Sequence, residues 1–271
     1  MVTVLKASGE KEPFSEEKVL NSIERAGIPY DIQEQVLTHV KSKLYENITT
    51  GEIYDHIIEF LDASPSPFLA TKYNLKKGIM ELGPTGYPFE DYISEILKTQ
   101  GYETKVRQIL AGKCVTHEID VIAEKGGKRI MVEAKFHNGA GIKSDVHVAL
   151  YTKARFDDLR YQHHFDHALI TTNTKVSSDA LKYSLCCGIT VISWDYPEKA
   201  SLRELVEEAK LYPITSIRSL TASQKQMLLL HGIVLCKNIC LNPSQISILG
   251  LNPDQEEKVL SEMNFLCRSQ S

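Results

Sequence analysis

Hydrophobic spacing along the chain switches repeatedly between the period of a strand and that of a helix. Residues 2–6, Val-Thr-Val-Leu-Lys, alternate as a strand, followed by a Ser8-Gly9-Glu10-Lys11 turn and Pro13-Phe14. Ser15 predicts the N-cap of a helix that carries Val19, Leu20 and Ile23 and stops at Gly27. Helices through residues 36–44 and from Thr50 through Leu61 follow, then a Ser64-Pro65-Ser66-Pro67 break and a helix around residues 73–82. Phe89, Tyr92, Ile93, Ile96 and Leu97 again repeat at helical spacing, with Gly101 placed to end that helix. Two alternating strands meet at Gly126-Gly127, and an amphipathic helix is predicted over residues 144–156. A strand at 169–173, a helix at 180–187 and a strand at 190–193 complete this stretch. Beyond Pro197 the pattern is helical, at 202–209, at 222–230 before His231-Gly232, and at a last helix holding Val259, Leu260 and Met263.

The Gly-Gly pair carries the most chemistry. Read as a two-residue hairpin loop, it sets Lys125 against Lys128, and counting inward puts Asp120 opposite Glu133. Alternation then places Lys135 on the face of Glu133, beside Glu118 and Asp120, while Ile119, Val121, Val132 and Ala134 point the other way. Opposed carboxylates have Cβ atoms roughly 5 Å apart and repel one another, which destabilises a sheet. A divalent cation between them removes the conflict. Mg²⁺ prefers oxygen ligands and shares its shell with substrate phosphates, and an adjacent ammonium can hold the attacking water and offset phosphate charge. The plainer reading is a solvated hairpin face on which Lys135 pairs with Glu118.

Upstream lies Gly86-Tyr87-Pro88-Phe89-Glu90-Asp91-Tyr92-Ile93, ending in Gln100-Gly101-Tyr102. Glu90 sits at the edge of the apolar stripe, where it can reach past the core toward the sheet. Together with the acidic hairpin, these residues resemble the nuclease domain of the Mrr-like restriction endonucleases, within the PD-(D/E)xK superfamily. The resemblance runs from about residue 86 to 195. It implies a three-layer α/β restriction-endonuclease-like core with a mixed central sheet, catalytic positions at Asp120, Glu133 and Lys135, metal ligation by Asp120 and Glu133, and Glu90 as an accessory helix acid. Relatives often carry a glutamine just after the lysine strand, where this chain has Phe136-His137-Asn138-Gly139-Ala140-Gly141, so His137 or Asn138 stands in that place. The glycines lack the lysine-serine or lysine-threonine ending of a phosphate-binding loop and read as a flexible connection. On the next helix, Lys153 and Arg155 either touch DNA phosphates or form a solvated face.

The first 84 residues resemble the ATP-cone, a small mainly helical regulatory nucleotide-binding domain. Val4, Lys6 and Gly9 in the first hairpin, Phe14 and Lys18 leading into the first helix, and Tyr73-Asn74-Leu75-Lys76-Lys77 carry the resemblance. It implies phosphate contacts from Lys6 and Lys18 and an ATP or dATP ligand framed by Val4 and Gly9. A lysine near a helix N-terminus adds charge to backbone donors that already favour anions. Read without the family, both are ordinary surface lysines. Ala7 stands where family members commonly have an arginine.

The tail, residues 198–271, is helical, and its Leu249-Gly250-Leu251 junction resembles a helix-hairpin-helix, whose backbone amides bind DNA phosphates without reading sequence. A helical packing or dimerisation domain is the other reading.

Bulk properties limit the partners. With 271 residues, 42% apolar and 24% charged, the chain suits two or three ordinary globular domains. A net charge of −4 argues against wholesale wrapping by nucleic acid, so DNA contact should be local and helped by metal. The six cysteines, Cys114, Cys186, Cys187, Cys236, Cys240 and Cys267, form no paired Cys-x-x-Cys set and read as buried reduced thiols, which fits the cytoplasm. His163, His164, Asp166 and His167 could hold a transition metal. No leader and no membrane-spanning stretch is expected.

These readings divide the chain at 1–84, 85–197 and 198–271. They combine into a Mg²⁺-dependent endodeoxyribonuclease, of restriction or DNA-processing type, regulated by ATP or dATP at the cone. The expected partners are DNA and a nucleotide effector, with no membrane and with self-association left open. The rivals are a nucleotide-sensing DNA-binding regulator that no longer cuts, and a non-catalytic oligomerisation scaffold.

Overall fold

The Ser15 hydroxyl accepts the Lys18 amide at 3.2 Å and starts the first helix where the capping pattern predicts it. The computed structural model describes residues 2–66, 68–139 and 141–268; Pro67 of the Ser-Pro break and Ala140 of the glycine-rich loop lie outside them. Among the described residues no helix is long and apolar enough to cross a membrane.

Residue contacts divide the chain into two compact units. The first gathers residues 1–78, 212–226 and 236–271. Its small sheet joins β1 (Thr3–Leu5) antiparallel to β2 (Lys11–Pro13) and parallel to β3 (Ile48–Thr49). Around it lie α1 (Glu16–Arg25), α2 (Tyr30–Ser42) and α3 (Thr50–Asp62). A reciprocal box of Thr49 and Glu52 caps α3, satisfying two backbone donors at once. Val19, Ile23, Val36, Val40, Ile57 and Leu61 form the core of this unit. The helix expected around 73–82 is broken at Asn74 into α4 (Leu69–Tyr73) and α5 (Leu75–Met80). Asn74 is buried there; it donates to the Ser216 carbonyl at 2.9 Å and accepts from the Tyr54 hydroxyl at 2.5 Å. The side chain is spent on tertiary partners, which explains an asparagine in mid-helix.

The second unit comprises residues 79–211 and 227–235. After α6 (Tyr87–Thr99) come β4 (Glu103–Ala111), β5 (Thr116–Lys125) and β6 (Lys128–Lys135), then the short β7 (Lys143–Ser144) and α7 (Val146–His163). They are followed by β8 (His167–Thr172), the short β9 (Lys175–Val176), α8 (Ser178–Cys186), β10 (Thr190–Ile192) and α9 (Leu202–Ala209). The sheet order is β10-β8-β6-β5-β4; β10, β8 and β6 run parallel, β5 and β4 antiparallel. The result is a three-layer α/β core with a mixed central sheet. Ala149, Phe156 and Leu159 of α7 pack on Met131, Ala168 and Ile170, the alternate residues of β6 and β8. The helix predicted at 144–156 starts at Val146, where Asp145 caps it, and runs on to His163 because nothing breaks it before His164, at φ +52°.

The remaining segments are a short 3-10 helix (Ile214–Ser216), α10 (Ala222–Leu230), α11 (Cys236–Leu241), a second 3-10 helix (Pro243–Leu249) and α12 (Pro253–Arg268). The element before Gly250 is thus a 3-10 helix rather than the first α-helix of a helix-hairpin-helix. The thiol expectation needs correction as well. Cys240 and Cys267 form a disulfide, and Cys114 and Cys186 are exposed; only Cys236 is fully buried among the free thiols. Spacing in sequence could not reveal a pair brought together by α11 meeting α12.

Candidate functional site

Asp120 sits where the sheet stops being regular. Register in β4 and β5 pairs Val106 with Val121 and Gln108 with Ile119, which would set Arg107 against Asp120, but that pair drops out of the ladder. Arg107 takes a φ of +50°, a costly conformation for a side chain inside a strand. Its guanidinium turns instead to α6, 2.8 Å from Asp91 and 3.3 Å from Glu90, and lies over the Tyr87 ring. On its other edge β5 pairs with β6 from Lys125↔Lys128 to Val121↔Val132, in the register expected of the Gly-Gly turn, and goes no further. There the Asp120 carboxylate accepts the Ala134 amide at 2.7 Å. The alternation expected of β5 breaks at the same place: Ile119 and Ile122 join one core beneath α7, where a regular strand would put them on opposite faces.

Beyond Val132, β6 stays paired only with β8, Glu133 lying against Ile170 and Lys135 against Thr172. The Glu133 carboxylate meets the guanidinium of Arg155, a buried residue of α7 that also lies over the Tyr151 ring at 5.1 Å. This overturns both expectations for Arg155, a contact with DNA phosphates and a solvated helix face. Lys153 is no freer, being paired with Asp157. Nothing in the local pattern separated an inward arginine from an outward one, because α7 has charges all round. Arg107 was not singled out from the sequence at all, and Arg155 was singled out for the wrong partner.

Three acids converge electrostatically. Burial pushes the carboxyls of Asp120, Glu133 and Glu90 above their ordinary values, and the Asp120 charge raises the last two further. Glu90, with 8% of its surface exposed, rises to about 7 despite Arg107. Arg155 and Lys135 oppose the rise at Asp120 and Glu133. Lys135 itself is exposed, and no described residue, Glu118 included, forms an ion pair with it. His137 turns away from the acids: its Nε2 lies 2.8 Å from the Ser144 hydroxyl, and Asn173 holds its backbone N–H and C=O at 2.9 and 2.8 Å. The His163 cluster does not assemble. His163 Nε2 lies 2.7 Å from the Ala111 carbonyl, and Asp166 accepts the Arg129 amide at 2.7 Å.

In the first unit a cleft of about 180 Å³ is lined by Val4, Phe14, Lys18, Tyr54, Tyr73 and, at its rim, Glu12. Tyr54 and Tyr73 stack at 5.4 Å. Lys18 and Lys6 both bind the Glu12 carboxylate, at 2.7 and 2.9 Å, and Lys6 also bonds Glu10. Gly9 shapes the hairpin at φ +82°; Lys6 and Gly9 do not line the cleft.

Three family models match the chain: the ATP cone domain at residues 2–76, restriction endonuclease of the Mrr type at 84–200, and AF1548-like, C-terminal, at 212–267. An uncharacterized protein of Archaeoglobus fulgidus is 38% identical over 171 residues, spanning 63% of this chain and 97% of the relative. The chain belongs to the AF1548-like family. A crystal structure described as a protein of unknown function, AF1548, is 35% identical with a TM-score of 0.60, covering 69% of this chain and 100% of that one. Can2 from Sulfobacillus thermosulfidooxidans, solved with cyclic tetra-adenylate, is 14% identical over 74% of this chain and 64% of its own, and its TM-score of 0.34 is too low to bear on the fold. This AF1548-like protein therefore joins an N-terminal ATP-cone to an Mrr-like restriction-endonuclease domain, as the motifs implied.

Proposed function

We propose that this protein is a Mg²⁺-dependent endodeoxyribonuclease whose cutting is regulated by ATP or dATP at the cone. The observation that carries the reading is the pair of half-buried acids, Asp120 and Glu133, held at the point where β5 parts from β6, with the exposed Lys135 two residues beyond Glu133. Desolvation raises the pKa of both carboxyls and the Asp120 charge raises Glu133 further, a conflict that destabilises a fold unless a cation compensates it. Their oxygens suit Mg²⁺, which when bound would polarise a phosphoryl oxygen and lower the pKa of water.

The chain's own residues do the rest. Asp120 is oriented by the Ala134 amide, so its second oxygen remains for a ligand. Glu133, paired with Arg155, would be the second residue to hold the cation. Lys135 donates hydrogen bonds to the attacking water or to the phosphate and offsets developing negative charge. Glu90 anchors Arg107 and, poised near neutrality, supports the site from α6.

At the cone, the stacked tyrosines offer a face for a base and Lys18 a charge for phosphate, with Lys6 and Gly9 in the neighbouring hairpin. A nucleotide would compete with Glu12 for both lysines. DNA is the substrate in this reading, and the cytoplasm the compartment.

One observation favours the non-cutting regulator: the Arg155 guanidinium pairs with Glu133 and so offsets its charge from within the fold. Incubating the protein with linear duplex DNA in Mg²⁺ or in EDTA, with and without ATP, decides between them. Fragments formed only with Mg²⁺ and altered in amount by ATP support the nuclease; retention of DNA on a native gel with no fragments under either condition supports the regulator.

A further inference from the structure

Away from the nuclease centre, α2 and α3 bring two imidazoles and a carboxylate together. His39 of α2 and His56 and Glu59 of α3 present one ligand atom each, all within 4.8 Å of one another. His56 Nδ1 is 3.3 Å and His39 Nε2 3.6 Å from the same Glu59 oxygen. Ligand atoms about 2.0–2.1 Å from a tetrahedral zinc stand roughly 3.3 Å apart, so the side chains are spaced much as a metal would space them.

We propose that His39, His56 and Glu59 form a divalent transition-metal site on the cone, of the zinc-binding class. Three features argue for it beyond proximity. His39 Nε2 is shut off from solvent and makes no hydrogen bond, an orphaned nitrogen aimed at the other two groups. A ring nitrogen buried without a hydrogen bond is costly, and a metal ion would satisfy it in the tautomer that leaves Nε2 unprotonated. The His39 ring is fixed by Phe60 at a centroid distance of 5.5 Å, so it is preorganised rather than free to seek water. His56 and Glu59 stand one helical turn apart on α3, the i, i+3 spacing that brings two side chains to one ligand.

Two imidazoles and one carboxylate suit zinc far better than magnesium, so this site differs in chemistry from the nuclease acids. Three protein ligands leave a fourth position for water, and Glu59, 58% exposed, keeps that position at the surface. Because the ligands come from two helices, bound metal would tie α2 to α3 and stabilise the unit that carries the nucleotide cleft.

The test uses the full chain carrying Asp120→Asn, which weakens the nuclease site as a competing metal site. Chelator-stripped protein is titrated with zinc sulfate by calorimetry in excess Mg²⁺, and its melting temperature is read with and without zinc. One equivalent should bind and raise the melting temperature, and His56→Ala and Glu59→Gln should each weaken binding about tenfold or more. Both variants alter partly exposed positions, so folding is retained even if His39→Ala fails to fold. Absence of binding in the parent, or binding unchanged in both variants, overturns the proposal.

Discussion

The Asp120 carboxylate accepts the Ala134 amide at 2.7 Å, taking the place that a backbone carbonyl would hold if β5 and β6 stayed paired. A side chain thus ends the ladder, and the same side chain heads the acidic cluster. Asp120→Asn keeps an oxygen for the Ala134 amide and removes the charge, whereas Asp120→Ala removes both. We expect both variants to lose cleavage, with the alanine form less stable than the asparagine form by about 1 kcal/mol. Urea melts compare them, and equal stabilities would mean that the Ala134 contact contributes nothing.

Arg155 compensates Glu133 from α7. Arg155→Met leaves a buried carboxylate alone, at a cost on the order of 3 kcal/mol in EDTA. Mg²⁺ should restore part of that loss by taking over the role of the guanidinium. Thermal melts with and without Mg²⁺ read the difference. A loss of the same size in both buffers would show that Glu133 does not meet the ion.

Glu90 gives the metal-free protein a pH dependence. Its pKa rises from 4.5 to about 7 on folding, so between those values the folded state holds more protons than the unfolded chain. Stability from this group therefore falls as pH rises through that window, and the full penalty, at most roughly 3 kcal/mol, is present above it. Glu90→Gln should flatten the change in unfolding free energy between pH 5 and 7 in EDTA. Identical slopes for the two proteins would remove Glu90 from the cluster.

Glu12 bridges the two cone lysines. Glu12→Gln frees Lys18 from its ion pair, leaves Lys6 only Glu10 as an acidic partner, and removes a negative charge from the cleft, so ATP should bind several-fold more tightly, while Lys18→Ala should weaken binding. Calorimetric titration with ATP checks both. Unchanged or weaker binding in Glu12→Gln, or unchanged binding in Lys18→Ala, would place the nucleotide elsewhere.

Much of this was legible in the chain because the signals were local. The Gly126-Gly127 turn sets the register from Lys125 to Val121, and period-two spacing then places Glu133 and Lys135 on the α7 side. Ser15 and Gly27 bracket α1 by capping chemistry alone. What could not be read depends on distant partners. The twist of Arg107 into positive φ follows from Glu90 and Asp91, 17 and 16 residues away in sequence. The inward turn of Arg155 follows from Glu133, and the split at Asn74 from a carbonyl 142 residues on. The disulfide between Cys240 and Cys267 closes across 27 residues, where spacing carried no sign of it. Contacts also draw the tail segments 212–226 and 236–271 into the unit of the first 78 residues, an association that composition cannot reveal.

The central claim is that Asp120, Glu133 and Lys135 cut DNA with Mg²⁺. Conversion of supercoiled plasmid to open and linear forms, measured for the natural protein beside Lys135→Ala and Asp120→Asn, tests it most directly. The account predicts Mg²⁺-dependent cleavage by the natural protein and a loss on the order of 10²–10³-fold or more in each variant. Cleavage that survives in both folded variants, or a natural protein that leaves the plasmid supercoiled in Mg²⁺ with and without ATP, would contradict it.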